Sequence, residues 1–316
     1  MRVNMKSLAV TCRVFRLILA IVLLSGAATA RADPAEPWLK GVASAVVPGA
    51  GQASNGDYGE AALHFGVFAV SVYGAIRYKD KSDYLEADQR YDEDNNREFI
   101  NKTTLRYDYA ARLASDTMLY SGYAAYRDAR SRDNSGFRTP APRESLGDLA
   151  KAPFSFRYLS RLTTFVPIAV QAAAIYTYNH DSKARNNKEP YGIYRARDVS
   201  ERDLHVFNLA ANEMTAVGEE AFFRGFLNNE FSNRYGNIAG LAISSGIFGL
   251  AHTGQGQTAN ALQATGAGFY LGWLHQRNGF EAGEGVAVHY WFNVLAGISA
   301  IHNGGSAELL HIQLPF

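Results

Sequence analysis

An all-α, polytopic transmembrane helical bundle, preceded by a signal peptide and an appended helical hairpin module, is the fold class this sequence predicts. Three observations predict it. Apolar segments of helical length recur along the chain; those in the second half are rich in Ala and Gly, which lets helix backbones approach closely; and long polar stretches separate them. The mean hydropathy of -0.17 conceals this segregation, because the polar stretches dilute the apolar ones.

The chain opens with Arg2, Lys6, Arg13 and Arg16, continues into an apolar run over 17–24, and reaches the small residues Ala27, Ala28, Thr29 and Ala30. That order of basic, apolar and small residues predicts a secretory signal over 1–32, cut after Ala30 or Ala32. The single cysteine, Cys12, falls inside it, so the mature chain is expected to carry no disulfide.

An apolar stretch over 38–47 meets Pro48-Gly49-Ala50-Gly51-Gln52 and Asn55-Gly56-Asp57 before a second apolar stretch over 59–76. Gly and Pro at this density predict a tight turn between two close-packed helices. The turn resembles a short hairpin module of bacterial membrane proteins, and that resemblance implies no chemistry. Residues 79–101 are dense in charge of both signs, which keeps them out of lipid and predicts a solvated helix or loop. Within it, Asp92, Glu93 and Asp94 would hold a cation only with further ligands folded onto them. Residues 107–126 are rich in Ala, Tyr and Leu but carry Asp108, Arg112 and Asp116, so they read as an interfacial or weakly apolar bundle helix.

From there to residue 157 the charges, with Pro140, Pro142 and Pro153, predict a linker at 136–155 between a module at 33–135 and a second domain at 156–303, followed by a tail at 304–316. An apolar segment over 163–178 ends in tyrosines suited to an interfacial belt. Helices are then expected near 204–230, 236–252, 258–276 and 284–302. The near-zero formal net charge of +1 argues against a nucleic-acid partner.

The second domain holds the residues suited to chemistry. Glu219 and Glu220 lie side by side in an apolar helix, with Arg224 four positions after Glu220 and so on its face. An ion-pair staple explains Glu220 and Arg224. It leaves Glu219, about 100° around the helix, without a reason to be there. Phe248 and His252, and His289 and Asn293, are likewise spaced by four, which gives two more faces bearing polar groups. Taken singly, each histidine reads as hydrogen-bonded core; three such faces in one bundle point to a site. His275, His302 and His311 stand at or beyond helix ends and are expected at the surface or an interface.

Glu-Glu-x-x-x-Arg, Phe-x-x-x-His and His-x-x-x-Asn, in this order, resemble the CPBP family, the CaaX protease and bacteriocin-processing intramembrane endopeptidases. The resemblance spans roughly 156–302. It implies that Glu219 and His252 hold and activate a water, that His289 and Asn293 stabilise an oxyanion, and that Glu220, Arg224 and Phe248 support them. The chemistry is sound on its own terms: a carboxylate away from bulk water can take a proton from water and return it to a leaving amine. Imidazole and amide groups can donate to developing negative charge. The resemblance favours no cofactor, leaving zinc as an alternative, since one carboxylate and two histidines could ligate it. It also implies a peptide or protein substrate and a lipid bilayer as surroundings, with the bacterial inner membrane as location. Two other readings remain, an inactive membrane scaffold of the same fold and a zinc-dependent membrane hydrolase.

Overall fold

The computed structural model describes residues 37–87, 98–100, 102–132, 136–183, 194–196, 199–252 and 258–303. The expected signal at 1–32, the tail at 304–316 and the Asp92-Glu93-Asp94 cluster lie outside them.

The bundle is built from α1 (Pro37–Val46), α2 (Ala50–Ser54), α3 (Tyr58–Ala87), α4 (Lys102–Arg132), α5 (Leu146–Lys151), α6 (Phe156–Leu159) and α7 (Leu162–Lys183). It continues with α8 (Glu201–Glu220), α9 (Asn229–Tyr235), α10 (Asn237–Ala251), α11 (Thr258–Arg277) and α12 (Gly283–Asn303). Between α8 and α9 the helix passes through a π-helical segment, Ala221–Asn228, without a break. The architecture is all-helical, as expected, apart from one short ladder among the described residues. β1 (Glu98–Ile100) pairs in parallel with β2 (Tyr194–Ala196), the first of them in the stretch expected as a solvated helix or loop. A three-residue ladder satisfies backbone groups without any apolar pattern, so periodicity has nothing to detect.

Local chemistry sets the helix ends. Ser145 and Ser200 start α5 and α8 with capping boxes, each hydroxyl accepting from an amide three residues on and each Asp, 148 or 203, reaching back to the serine amide. Gly236, at φ 88°, stops α9 so that α10 can turn back. The glycines of the turn after α1 lie in close contacts, while the helices on either side of it, α1 and α3, each pack on α4. Gly49 has φ 92°, and a Cβ on Gly51 would lie 2.2 Å from the Lys40 carbonyl oxygen. Gln52 fixes the turn, accepting from Ser44 at 2.6 Å and donating to the Ser121 carbonyl of α4 at 3.0 Å.

One core runs through the bundle. Trp38 of α1 and Tyr123 and Tyr126 of α4 are buried in the same cluster as Phe222, Phe226, Phe248 and Tyr290. The segment expected as a linker is part of it: Leu149 and Ala152 are buried there, and Thr139 is buried beside Asn229, whose side chain its hydroxyl reaches at 2.9 Å. Composition misled here because only a few small or apolar side chains need to point inward for a polar strap to be held. Arg130 shows the same principle. Fully buried, it donates to the Tyr126 hydroxyl at 2.6 Å and the Thr139 carbonyl at 2.7 Å, and lies 3.6 Å over the Phe137 ring.

Among the described residues one helix is long and apolar enough to cross a membrane, α3 over Tyr58–Lys79; the apolar stretches Leu162–Thr177 and Asn237–Ala251 are shorter. The expectation of several full spans is therefore met by one on length and composition. The Ala and Gly that permit close packing in the remaining helices also lower their hydropathy.

Candidate active site

Three elements carry the polar faces inward. α8 ends on Glu219 and Glu220, α10 ends on Phe248 and His252, and the middle of α12 bears His289 and Asn293, all of them buried. The four helices expected in this half appear within a few residues of their predicted limits, the first running on to Tyr235. The change to π-helix comes directly after Glu220, and such segments widen a helix and re-aim its side chains at functional sites.

A connected chain of charged groups links two of these elements. Arg224 Nη1 is 3.0 Å from Glu220 Oε1, and the same oxygen lies 2.9 Å from His289 Nδ1. The opposite ring nitrogen, His289 Nε2, is 3.9 Å from Glu219 Oε2. Glu220 thus joins two partners, a guanidinium and an imidazole, whereas the sequence suggested only Arg224. Glu219 stands on the other edge of the same imidazole, which places both adjacent carboxylates against one histidine.

α10 closes the site from the side. The Arg224 guanidinium sits 4.2 Å over the Phe248 ring, a cation-π contact in which the aromatic face offsets part of the cost of a buried charge. Phe248 also lies 4.5 Å from the His252 ring and edge-on to His289 at 6.3 Å, so its ring touches on the guanidinium and both imidazoles. His252 Nδ1 is 2.7 Å from the Phe248 carbonyl oxygen. A carbonyl can only accept, so Nδ1 carries the proton and Nε2 presents a lone pair. That Nε2 is buried and has no protein hydrogen-bond partner, and the ring is within electrostatic reach of Glu219, His289 and Arg224. Asn293 is one turn beyond His289 on the same face of α12.

Two residues differ from their sequence reading. Asp116, taken as a mark of a poorly apolar helix, is buried where α4 crosses α8. A Cβ on Gly218 would lie 3.0 Å from its carboxylate, Thr215 Oγ1 is 3.4 Å from it, and its charge interacts with Glu219. The adjacent small residue Gly218 was the only sequence signal for that approach. His275, expected at a surface, is also buried, because the turn through Gly279 and Phe280, both at positive φ, folds the Phe280 ring to 5.2 Å from it. The His302 side chain and His311 lie outside the described residues.

α12 is held from its start. The Glu144 carboxylate accepts from the amides of Ala282 at 2.6 Å and Gly283 at 2.8 Å, at the positive end of the helix. Glu284 is fully buried and is met by Asn278 at 2.8 Å and Arg277 at 3.0 Å. Among the described residues no three His, Cys, Asp or Glu side chains are grouped as they would be around a metal ion.

No curated protein and no solved structure gives a significant match to the chain. Residues 203–295 match the family model described as Rce1-like, type II CAAX prenyl endopeptidase Rce1-like. The matched span contains Glu219, Glu220, Arg224, Phe248, His252, His289 and Asn293, the whole of the site just described. By that match, residues 203–295 are similar to the Rce1-like endopeptidases, the group that the three motifs resemble.

Proposed function

We propose that the protein is an intramembrane endopeptidase in which Glu219 and His252 bind and activate the attacking water. The observation that carries the reading is the buried run Arg224, Glu220, His289 and Glu219, closed by Phe248 and His252. Burying so many ionisable groups costs several kcal/mol for each ion unless they are paired, and a staple needs only Glu220 and Arg224. The remaining members have a catalytic reason to be present. An idle scaffold gives none.

In this mechanism His252 accepts a hydrogen bond from water at Nε2, and Glu219 takes the proton as the water oxygen attacks the scissile carbonyl carbon. The electron pair of the carbonyl moves to its oxygen. Asn293 donates to that oxyanion through its amide, and His289 donates through Nε2 when both of its nitrogens are protonated, with Glu220 as counter-ion. The proton held by Glu219 then passes to the leaving nitrogen as the C–N bond breaks. Holding these groups on helix ends and a packed helix face fixes their separations before substrate arrives.

Water activated by glutamate and histidine is the reading adopted here over zinc ligation, and chelation with metal analysis decides between the two. The bundle is read as polytopic, with α3 as its full-length span and the shorter apolar helices of the Rce1-like segment inserted beside it; a bacterial inner membrane is the setting this proposal adopts. The test is direct: protein purified into lipid nanodiscs is incubated with a quenched-fluorescence peptide library, and products are mapped by mass spectrometry. Internal peptide-bond cleavage that vanishes in Glu219→Gln supports the proposal, and cleavage indifferent to Glu219 and His252 overturns it.

A further inference from the structure

A cavity of about 1190 Å³ opens between α3, α4 and α8, and neither His289 nor His252 lines it. Its walls change character along one direction. At one end stand Arg77 of α3, Lys102 and Arg106 of α4 and Asp203 of α8; at the other stand Val70, Leu113 and Ala210 of the same three helices. On α4, eleven residues separate Lys102 from Leu113, or about 16 Å of helix axis. The cavity is therefore a long groove, charged at its mouth and apolar at its far end, where Val70 is exposed and Leu113 and Ala210 are half-buried.

The charge at the mouth is positive. Lys102 and Asp203 approach each other at 4.0 Å, which leaves Arg77 and Arg106 as the excess. The Arg106 guanidinium lies 5.9 Å over the ring of Tyr78, itself part of the wall, so the cation is held above the groove by an aromatic face. Arg77 and Tyr78 are at the end of Tyr58–Lys79, the helix long and apolar enough to cross a membrane, and that helix buries little of its surface in the protein. On the membrane reading, the mouth is at the level of lipid headgroups and the far end is at the level of their chains. Tyrosines and arginines at such a boundary suit the interface, and basic pockets between helices suit anionic headgroups.

We propose that this cavity binds an anionic phospholipid, with the headgroup phosphate between Arg77 and Arg106 and one acyl chain running toward Val70, Leu113 and Ala210. Among the described residues, three cations against one carboxylate favour an anionic over a zwitterionic headgroup, and the apolar end favours a lipid over free phosphate. The proposal needs the bilayer and does not need the peptidase chemistry, because no residue of the cavity belongs to the Glu219–His289 group.

The test uses the full chain in nanodiscs of equal phosphatidylglycerol and phosphatidylcholine, extracted into mild detergent and weighed intact with its retained lipid. Phosphatidylglycerol is expected to be retained in clear preference. The double substitution Arg77→Gln with Arg106→Gln should weaken that retention about thirtyfold. Arg157→Gln, which removes an exposed ion pair with Glu281 beside the start of α12, should leave it unchanged, with all three proteins melting at the same temperature. Equal retention of the two lipids, or full retention by the double variant, overturns the site. Displacement of the lipid by millimolar inorganic phosphate overturns the acyl-chain half of the assignment.

Discussion

Replacing each of the two adjacent glutamates by glutamine separates chemistry from support. Glu219→Gln keeps volume and hydrogen-bonding atoms and removes the base. General-base catalysis contributes about 10² to 10⁴ in rate, or roughly 3 to 5 kcal/mol of barrier, so peptide cleavage should fall by that factor while the melting temperature holds. Glu220→Gln acts elsewhere. Its Oε1 is 3.0 Å from Arg224 and 2.9 Å from His289, and Arg224 is almost fully buried. Losing the carboxylate leaves a buried guanidinium without its counter-ion, which costs about 3 to 5 kcal/mol. The melt should drop by on the order of 10 °C. Both variants are measured by initial rates on a quenched peptide and by thermal melts in the same nanodiscs. A fully active Glu219→Gln protein would sink the mechanism, and a Glu220→Gln protein as stable as its parent would refute the staple.

The other predictions follow from the same geometry. Exhaustive chelation followed by metal analysis should leave activity intact, whereas loss restored by stoichiometric zinc would replace the proposed water activation by metal ligation. A fragment beginning at residue 156 should fail to fold, since it lacks Trp38, Tyr123, Tyr126 and Leu149 from the shared core; a cooperative melt for that fragment would contradict it. Burial raises the Glu144 carboxyl to about 7, against the two amides that favour its charged form. With a folded pKa above the unfolded value of 4.5, the folded chain holds the proton more tightly, so stability should decline as pH rises from about 4.5 through about 7. Glu144→Gln should flatten that slope, and a variant with the parent's pH profile would assign the slope to other groups.

The sequence by itself determined the helices of the second half and the identity of the polar residues on them, because both signals are local. Apolar runs set where α8, α10, α11 and α12 form, and a spacing of four sets which residues share a face. The pairing of Glu220 with Arg224 was legible for the same reason. Only the tertiary structure decided that His289 sits between Glu219 and Glu220, because two helices far apart in the chain must be packed before their faces meet. It also decided that the supposed linker is core and that Asp116 approaches Glu219. Those contacts join segments far apart in the chain, and packing of that kind has no period in the sequence. The two-strand ladder between residues 98–100 and 194–196 belongs with them, since pairing between three-residue segments is set by where the bundle brings their backbones together.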